Sequence, residues 1–179
     1  MTRIDPDLLP QALPDGWVPG SGRHMGGMVV FQAPEPEFGG TMLAPAEWRL
    51  LSDMLWDSGV LDQGDLYYTF LVKVPLDAER ADEQVEAAMP YLIEEVQHVV
   101  PRFILALGQE VYDALTGTSL GLALYRGIWQ RAADRFDWEE ALVLGTWSPR
   151  EVLDDRKKAE PFRRDVGEFS RAWRKGLDG

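Results

Sequence analysis

The sequence predicts an α/β fold, a three-layer α/β/α sandwich around a four-stranded parallel sheet. Four short apolar runs are separated by stretches with helical spacing, and the first run ends in a loop rich in Pro and Gly. Strands that alternate with helices favour a parallel sheet covered on both faces. The carboxyl ends of such strands meet at one edge, where open α/β sheets bind their ligands.

The predicted strands are the four apolar runs. They cover residues 28–31, 66–72, 103–108 and 141–147. The second run is rich in aromatic and β-branched residues, and the third is apolar without interruption, as in a strand buried on both faces. Prolines 34 and 36 end the first strand, and Pro149 ends the fourth.

Helical spacing fills the stretches between the strands. Pro45 opens a helix that Gly59 ends, and Asp82 is predicted to cap a longer helix that Pro101 ends. A short helix is predicted over residues 109–115, followed by a Gly-broken connector. The last helix has an apolar stripe of Phe162, Val166, Phe169 and Trp173.

Composition limits the kind of protein. The 179 residues are 45% hydrophobic, which is enough for one domain over residues 25–179. Residues 1–24 lack periodicity and are predicted to be an irregular N-terminal arm. No run approaches the ~18 apolar residues of a membrane span, and the first residues do not resemble a signal peptide, so a cytoplasmic protein without a membrane partner is expected.

The chain contains no cysteine, which excludes a thiolate nucleophile, an iron–sulfur cluster and a cysteine-ligated zinc site. The two histidines, His24 and His98, have no partner at metal-ligand spacing. No cofactor or metal is therefore predicted.

Charge is unevenly distributed along the chain. The net charge is −12, which is unfavourable for a protein that binds nucleic acid. Residues 150–179 carry nine Lys and Arg against seven Asp and Glu, whereas the preceding residues carry nine against 23. A polyanion is therefore expected to approach the C-terminal segment; a solvated helix surface is the alternative.

Five segments occur in an informative order. Residues 31–35 read F-Q-A-P-E, residues 67–74 read Y-Y-T-F-L-V-K-V, and residues 146–150 read T-W-S-P-R. They are similar to G-E-A-P-G, Y-I-T-N-x-V-K-C and T-Y-H-P-S of the uracil-DNA glycosylase superfamily, in particular its bacterial and archaeal iron–sulfur branch. Residues 40–55 and 89–108 match two further motifs in length and spacing. The resemblance implies the glycosylase fold and a role on DNA.

The resemblance also implies which positions would do the chemistry, and these are changed. Gln32 replaces the carboxylate that positions water, and Leu43 replaces the Phe that stacks on a flipped base. Phe70 replaces the Asn that reads the uracil edge, and Ser148 replaces the His that stabilises charge on the departing base. Val74 and Met89 take two of the cluster-cysteine places.

The catalytic candidates are Gln32, Glu35 and Ser148. A neutral amide orients water but does not accept its proton, so a displaced carboxylate at Glu35 or Glu37 would have to act as the base. Solvated loop carboxylates are the alternative. The candidate base pocket consists of Ala33, Pro34, Met42, Leu43, Phe70 and Trp147. These side chains form a pocket for a less polar base or fill the former cavity.

The candidate DNA-binding residues follow the third and fourth strands. They are Gly108, Gln109, Pro149, Arg150, Val152, Leu153, Arg156 and Lys157. Gly108 and Gln109 lie at a helix N-terminus, a natural phosphate site or an ordinary turn. Val152 and Leu153 are predicted to form the wedge that the family inserts into a duplex.

Three functions remain open on the sequence. The first is a DNA-binding or accessory factor in replication, repair or defence that has lost standard uracil excision. The second is a glycosylase for uracil or a modified base. The third is an acidic regulator or DNA mimic that binds a basic protein.

Overall fold

A five-stranded sheet forms the centre of the molecule. The structure, a computed structural model, describes residues 13–23, 26–38, 43–60, 63–138 and 140–177. The strands are β1 (Gly27–Phe31), β2 (Tyr67–Phe70), β3 (Phe103–Leu107), β4 (Trp129–Arg131) and β5 (Leu142–Thr146), in the order β2-β1-β3-β5-β4. β2, β1, β3 and β5 are parallel, and β4 is antiparallel to β5. The four predicted parallel strands are confirmed, with one short edge strand added.

Helices cover both faces of the sheet. They are α1 (Pro45–Asp57), α2 (Ala81–Val99), α3 (Gln109–Thr116), α4 (Leu122–Tyr125), α5 (Pro149–Asp154) and α6 (Ala159–Leu177). Alternate strand residues point to opposite faces: Val29 packs with α1, α5 and α6, and Met28 packs with α2, α3 and α4. The three-layer sandwich is therefore confirmed. Within the described residues, no helix is both long and apolar enough to cross a membrane.

Some predicted boundaries differ from the structure. α2 begins at Ala81, so Asp82 lies in its first turn and the predicted cap is wrong. Residues 129–131, for which no strand was predicted, form β4 because their backbone pairs with the edge of β5. Three residues are too few to show a strand periodicity in the sequence.

The end of the N-terminal arm covers the outer edge of β2. Ser21 and Tyr68 exchange two backbone hydrogen bonds of 2.8 and 2.7 Å, and the Val18 N–H donates to the Lys73 carbonyl at 2.7 Å. The ring of Trp17 lies 5.1 Å from that of Tyr91 on α2. The arm therefore protects an edge that would otherwise expose unpaired backbone groups.

A buried ion pair connects β2 to α2. The side chains of Lys73 and Glu95 are fully buried and in direct contact. Glu95 also accepts hydrogen bonds from the hydroxyls of Tyr67 at 3.1 Å and Thr69 at 2.8 Å. Burial lowers the pKa of Lys73, and the contact with Glu95 opposes that shift. The arm joins this cluster through the Gly20 N–H, which donates to Glu95 at 3.2 Å.

We expect Lys73→Met to destabilise the fold strongly, because it leaves the Glu95 carboxylate buried without its cation. Removing one partner of a buried pair typically costs about 3–5 kcal/mol. Urea unfolding of the purified chain measures this loss.

The matched control is Arg80→Met, whose partner Glu83 is exposed and whose ion pair is expected to contribute at most about 1 kcal/mol. A loss in Lys73→Met no larger than that of the control would contradict the structural role of the buried pair.

Candidate functional site

A small cleft opens at the carboxyl ends of the parallel strands, between β1 and β3. This is the position where the strand order reverses, since the chain passes from β1 to β2 on one side and β3 lies on the other. Such switch points are the usual ligand sites of open α/β sheets. The cleft is lined by Phe31, Gln32, Ala33, Glu35, Leu43, Glu47, Leu107, Ser148, Pro149 and Arg150. Its volume is about 70 Å³.

The three predicted catalytic residues meet in this cleft. Gln32 follows β1, and its backbone carbonyl accepts a 2.8 Å hydrogen bond from the Val72 N–H, which fixes the start of the loop against the segment after β2. Glu35 projects from the same loop. Ser148 reaches the cleft from the end of β5.

Ser148 has a structural task as the N-cap of α5. Its hydroxyl accepts a 3.2 Å hydrogen bond from the Glu151 N–H, and the Glu151 carboxylate accepts a 2.9 Å bond from the Ser148 N–H. This reciprocal capping box holds the hydroxyl at the helix end. A hydroxyl that accepts one bond still has its own hydrogen to donate, so Ser148 can act as a neutral donor in the cleft.

Arg150 joins two carboxylates at the cleft. Its Nη2 lies 2.7 Å from Glu35 Oε1, and its Nε donates to Glu47 Oε1 at 2.9 Å. The Arg150 side chain is 56% exposed, and that of Glu47 only 8%. Arg150 was predicted to contact DNA, but here its guanidinium pairs with two carboxylates of the cleft. A phosphate at this position would have to compete with both of them.

Glu47 is the site residue that the sequence did not reveal. It lies in the first turn of α1, where a carboxylate is ordinarily explained by the helix dipole. Burial raises the pKa of Glu47 above its ordinary value; Arg150 opposes the rise, and the nearby Glu35 adds to it. The cleft therefore contains a carboxylate that takes up a proton more readily than a solvated glutamate.

The predicted base pocket is mostly filled. Phe70 is 8% exposed, and its ring lies 5.7 Å from that of Phe31. The ammonium of Lys158 lies 4.3 Å from the centre of the Trp147 ring, so that ring face is covered. Leu43 is buried in the core. Of the six predicted residues, Ala33 and Leu43 line the cleft, Pro34 is buried, and Met42 lies outside the described residues.

Gln109 uses its side chain inside the protein. Its amide donates to Asp113 at 2.7 Å and to the Leu120 carbonyl at 3.0 Å, and its oxygen accepts from the Leu122 N–H at 2.7 Å. The Gly108 N–H donates to the Thr146 carbonyl at 2.9 Å. Both groups therefore stabilise the connector and the sheet, which favours the ordinary turn over the phosphate site.

The predicted wedge needs a correction. Residues 149–154 form α5 rather than a loop, with Pro149 buried at its first position. Val152 is 3% exposed and belongs to the hydrophobic core, so it is not available as a wedge, whereas Leu153 is 47% exposed. Arg156 and Lys157 are exposed in the turn that follows.

The residues present do not fit an iron–sulfur cluster. The chain has no cysteine, and the places of two cluster ligands are taken by Val74 and Met89, which pack against the hydrophobic core. In the part of the chain that the structure describes, no group of three or more His, Asp or Glu side chains is placed to hold a metal ion.

The fold and the site define an α/β protein with a ligand cleft at a strand-order switch point. A family model, the uracil DNA glycosylase superfamily, matches residues 22–174. The chain therefore belongs to this superfamily, and the resemblance drawn from the motifs is confirmed. The chain is also similar to a type-4 uracil-DNA glycosylase of Pyrobaculum aerophilum, with 38% identity over 96 residues. The match covers 51% of this chain and 48% of that relative, so it spans about half of each protein.

Glu47→Gln is expected to change how stability depends on pH. Because the folded-state pKa of Glu47 is raised, protonated Glu47 contributes stability that is fully present below about pH 4.3 and is lost as the pH rises through the folded-state value. Relative to Glu47→Gln, the wild type is therefore expected to lose unfolding free energy between about pH 4.5 and about pH 7.

Urea unfolding at both pH values measures this difference. Glu86→Gln, at an exposed position of α2, controls for the chemical change itself. A wild type that gains stability relative to Glu47→Gln over the same interval would contradict the raised pKa.

Proposed function

We propose that this protein binds single-stranded or locally unpaired DNA at the carboxyl edge of its sheet and does not excise uracil. Its role would be that of an accessory factor in DNA replication, repair or defence. One observation carries the proposal: the ring of Phe70, which stands where the resemblance implies the base-reading Asn, lies 5.7 Å from that of Phe31, and the cleft that Phe31 lines has a volume of only about 70 Å³. Ligand pockets for small molecules are typically about 300 Å³ or larger.

The chemistry of the cleft also supports the loss of uracil excision. A site discriminates a polar base by hydrogen bonds to its edge, and a Phe side chain offers neither donor nor acceptor. Leu43 provides no aromatic face for a flipped base to stack on. Gln32 can orient a water molecule but cannot take its proton.

DNA as the ligand is supported by the superfamily and by the distribution of charge. The similar protein from Pyrobaculum aerophilum is named a uracil-DNA glycosylase. Phosphates are repelled by the acidic body and attracted by the segment after residue 149. Arg156 and Lys157 are exposed just before Lys158, which lies on Trp147 after β5. They would contact the backbone together with the exposed Leu153.

We expect no abasic sites when the purified protein is incubated with uracil-containing single- or double-stranded oligonucleotides. The same oligonucleotides should bind at low salt, with an affinity that falls as salt is added. Alkaline strand cleavage and fluorescence anisotropy on one set of samples measure both properties.

Substituting Arg156→Gln together with Lys157→Gln should lower the slope of log affinity against log salt by about 1.4, the value for two lost phosphate contacts on a single strand.

Uracil release that depends on Gln32, Glu35 or Glu47 would overturn the loss of excision. Absence of binding at low salt would overturn the DNA-binding proposal and favour a basic protein partner.

A second candidate function is hydrolysis of the glycosidic bond of a modified base. It is favoured by Glu35, Glu47 and Arg150, which bring two carboxylates and a cation to the cleft even though the family positions are changed. A carboxylate with a raised pKa suits a general base, and a guanidinium stabilises negative charge on a departing base. Release of hypoxanthine, xanthine or hydroxymethyluracil by the wild type but not by Glu47→Gln would select this function.

A further inference from the structure

A basic groove lies on the outer face of α6, away from the cleft. It runs between the carboxyl end of α1 and α6, and its volume is about 440 Å³. The charged residues that line it are Arg163, Arg164, Arg171, Arg174, Asp57 and Glu160. On a protein with a net charge of −12, four arginines against two acids are a local reversal of sign.

The arginines form a continuous track along the helix. Arg163 and Arg164 lie about two turns before Arg171, and Arg174 lies three residues further, so helical spacing places them on one side of α6. Arg163 and Arg174 are eleven positions apart, which corresponds to about 16 Å of helix at 1.5 Å per residue. This length fits an extended polyanion better than a single small anion.

Three of the four guanidinium groups of the groove are available to a ligand, whereas Arg171 donates to Glu168 at 2.8 Å. Within the described residues, the ion-pair contacts of Arg163 are long, 3.4 Å to Asp57 and 3.9 Å to Glu160, and both partners are exposed. Such surface pairs typically contribute less than about 1 kcal/mol and are easily exchanged. Arg164 and Arg174 are both exposed, and among the described residues neither has an ion pair within 4.0 Å.

A glycine just after the end of α1 leaves space for the Arg174 side chain. Gly59 follows α1 with φ of +91°, and a Cβ built on it would lie 2.5 Å from Arg174 Nη1. A side chain at residue 59 would therefore displace the guanidinium from the groove. This position lies at the carboxyl end of α1, where the helix dipole favours a cation.

The groove begins where the candidate DNA-binding residues end. α6 starts directly after Lys158, which lies on Trp147 at the carboxyl edge of the sheet. Arg156 and Lys157 are exposed at that edge, and Arg163 and Arg164 follow one turn into α6. Positively charged side chains therefore extend from the edge of the cleft along the outer face of α6.

We propose that the α1–α6 groove binds the phosphodiester backbone of the single-stranded nucleic acid that reaches the cleft. The guanidinium groups donate to the phosphate oxygens, an interaction that is stronger than a neutral hydrogen bond and independent of base sequence. This inference rests on the proposed function, since it extends the contact with DNA beyond the carboxyl edge.

Arg164→Gln with Arg174→Gln tests the groove without breaking an ion pair of the described structure. The matched control is Arg102→Gln with Arg131→Gln, which removes the same charge from exposed positions. Arg102 directly precedes β3, and Arg131 ends β4 opposite Leu142 at the amino end of β5. Binding of a fluorescent single-stranded oligonucleotide, long enough to extend past the cleft, is measured by anisotropy over a series of salt concentrations.

The groove variant is expected to lower the salt slope by about 1.4 relative to wild type, and the control variant to leave it unchanged. The charge-preserving variant Arg164→Lys with Arg174→Lys should restore most of the slope. Equal salt slopes for the wild type and the groove variant would overturn the proposal that the groove binds nucleic acid, and would leave the proposed function standing. A wild type that does not bind would overturn both.

Self-association is the remaining outcome. Sedimentation of the free proteins shows whether the wild type forms dimers that the groove variant does not. If the groove variant loses the dimers while the salt dependence of its DNA affinity stays unchanged, the groove is a contact surface for a second copy of the chain. The nucleic-acid proposal is then wrong.

Discussion

The buried ion pair between Lys73 and Glu95 determines the geometry of the carboxyl edge of β2. Lys73 Nζ also donates to the Thr69 hydroxyl and to the Phe70 carbonyl, both at 2.7 Å. Burying an ammonium group without hydrogen-bond partners would cost a large amount of free energy. The groups that Lys73 contacts are therefore held in place. The pair therefore anchors three elements at once: the arm through Gly20, the end of β2, and α2. Phe70 therefore lies on a segment whose backbone the ion pair holds in place.

The cleft and its surroundings combine apolar side chains with a cluster of charged ones. The side chains of Phe70 and Leu43 offer no hydrogen bond, while Glu35, Glu47 and Arg150 place three charges within ion-pair distance. Two carboxylates share one guanidinium, which leaves the mouth of the cleft with a negative excess. Phosphates are therefore expected to avoid the cleft itself and to lie along α5 and α6, where Arg156, Lys157 and the groove arginines supply positive charge.

The sequence predicted the sheet well because each parallel strand is a predominantly apolar run bounded by turn residues. It failed where the signal is short or the partners are distant. β4 has three residues, too few for a pattern, and α5 was taken for a loop although Ser148 and Glu151 have capping-box spacing. Glu47 and Arg150 are separated by 103 residues, and Lys73 and Glu95 by 22, so neither ion pair is visible without coordinates. Lysine in particular is expected at the surface, so nothing in the sequence indicated that Lys73 is buried.

Hydrogen–deuterium exchange of the full chain, with and without a single-stranded oligonucleotide at low salt, tests the central claim most directly. If DNA binds at the carboxyl edge, backbone amides of residues 148–158 will exchange more slowly in the complex, and those of β4 and the amino ends of the strands will not change. Slower exchange confined to the amino ends, or none anywhere with DNA present, would contradict the account.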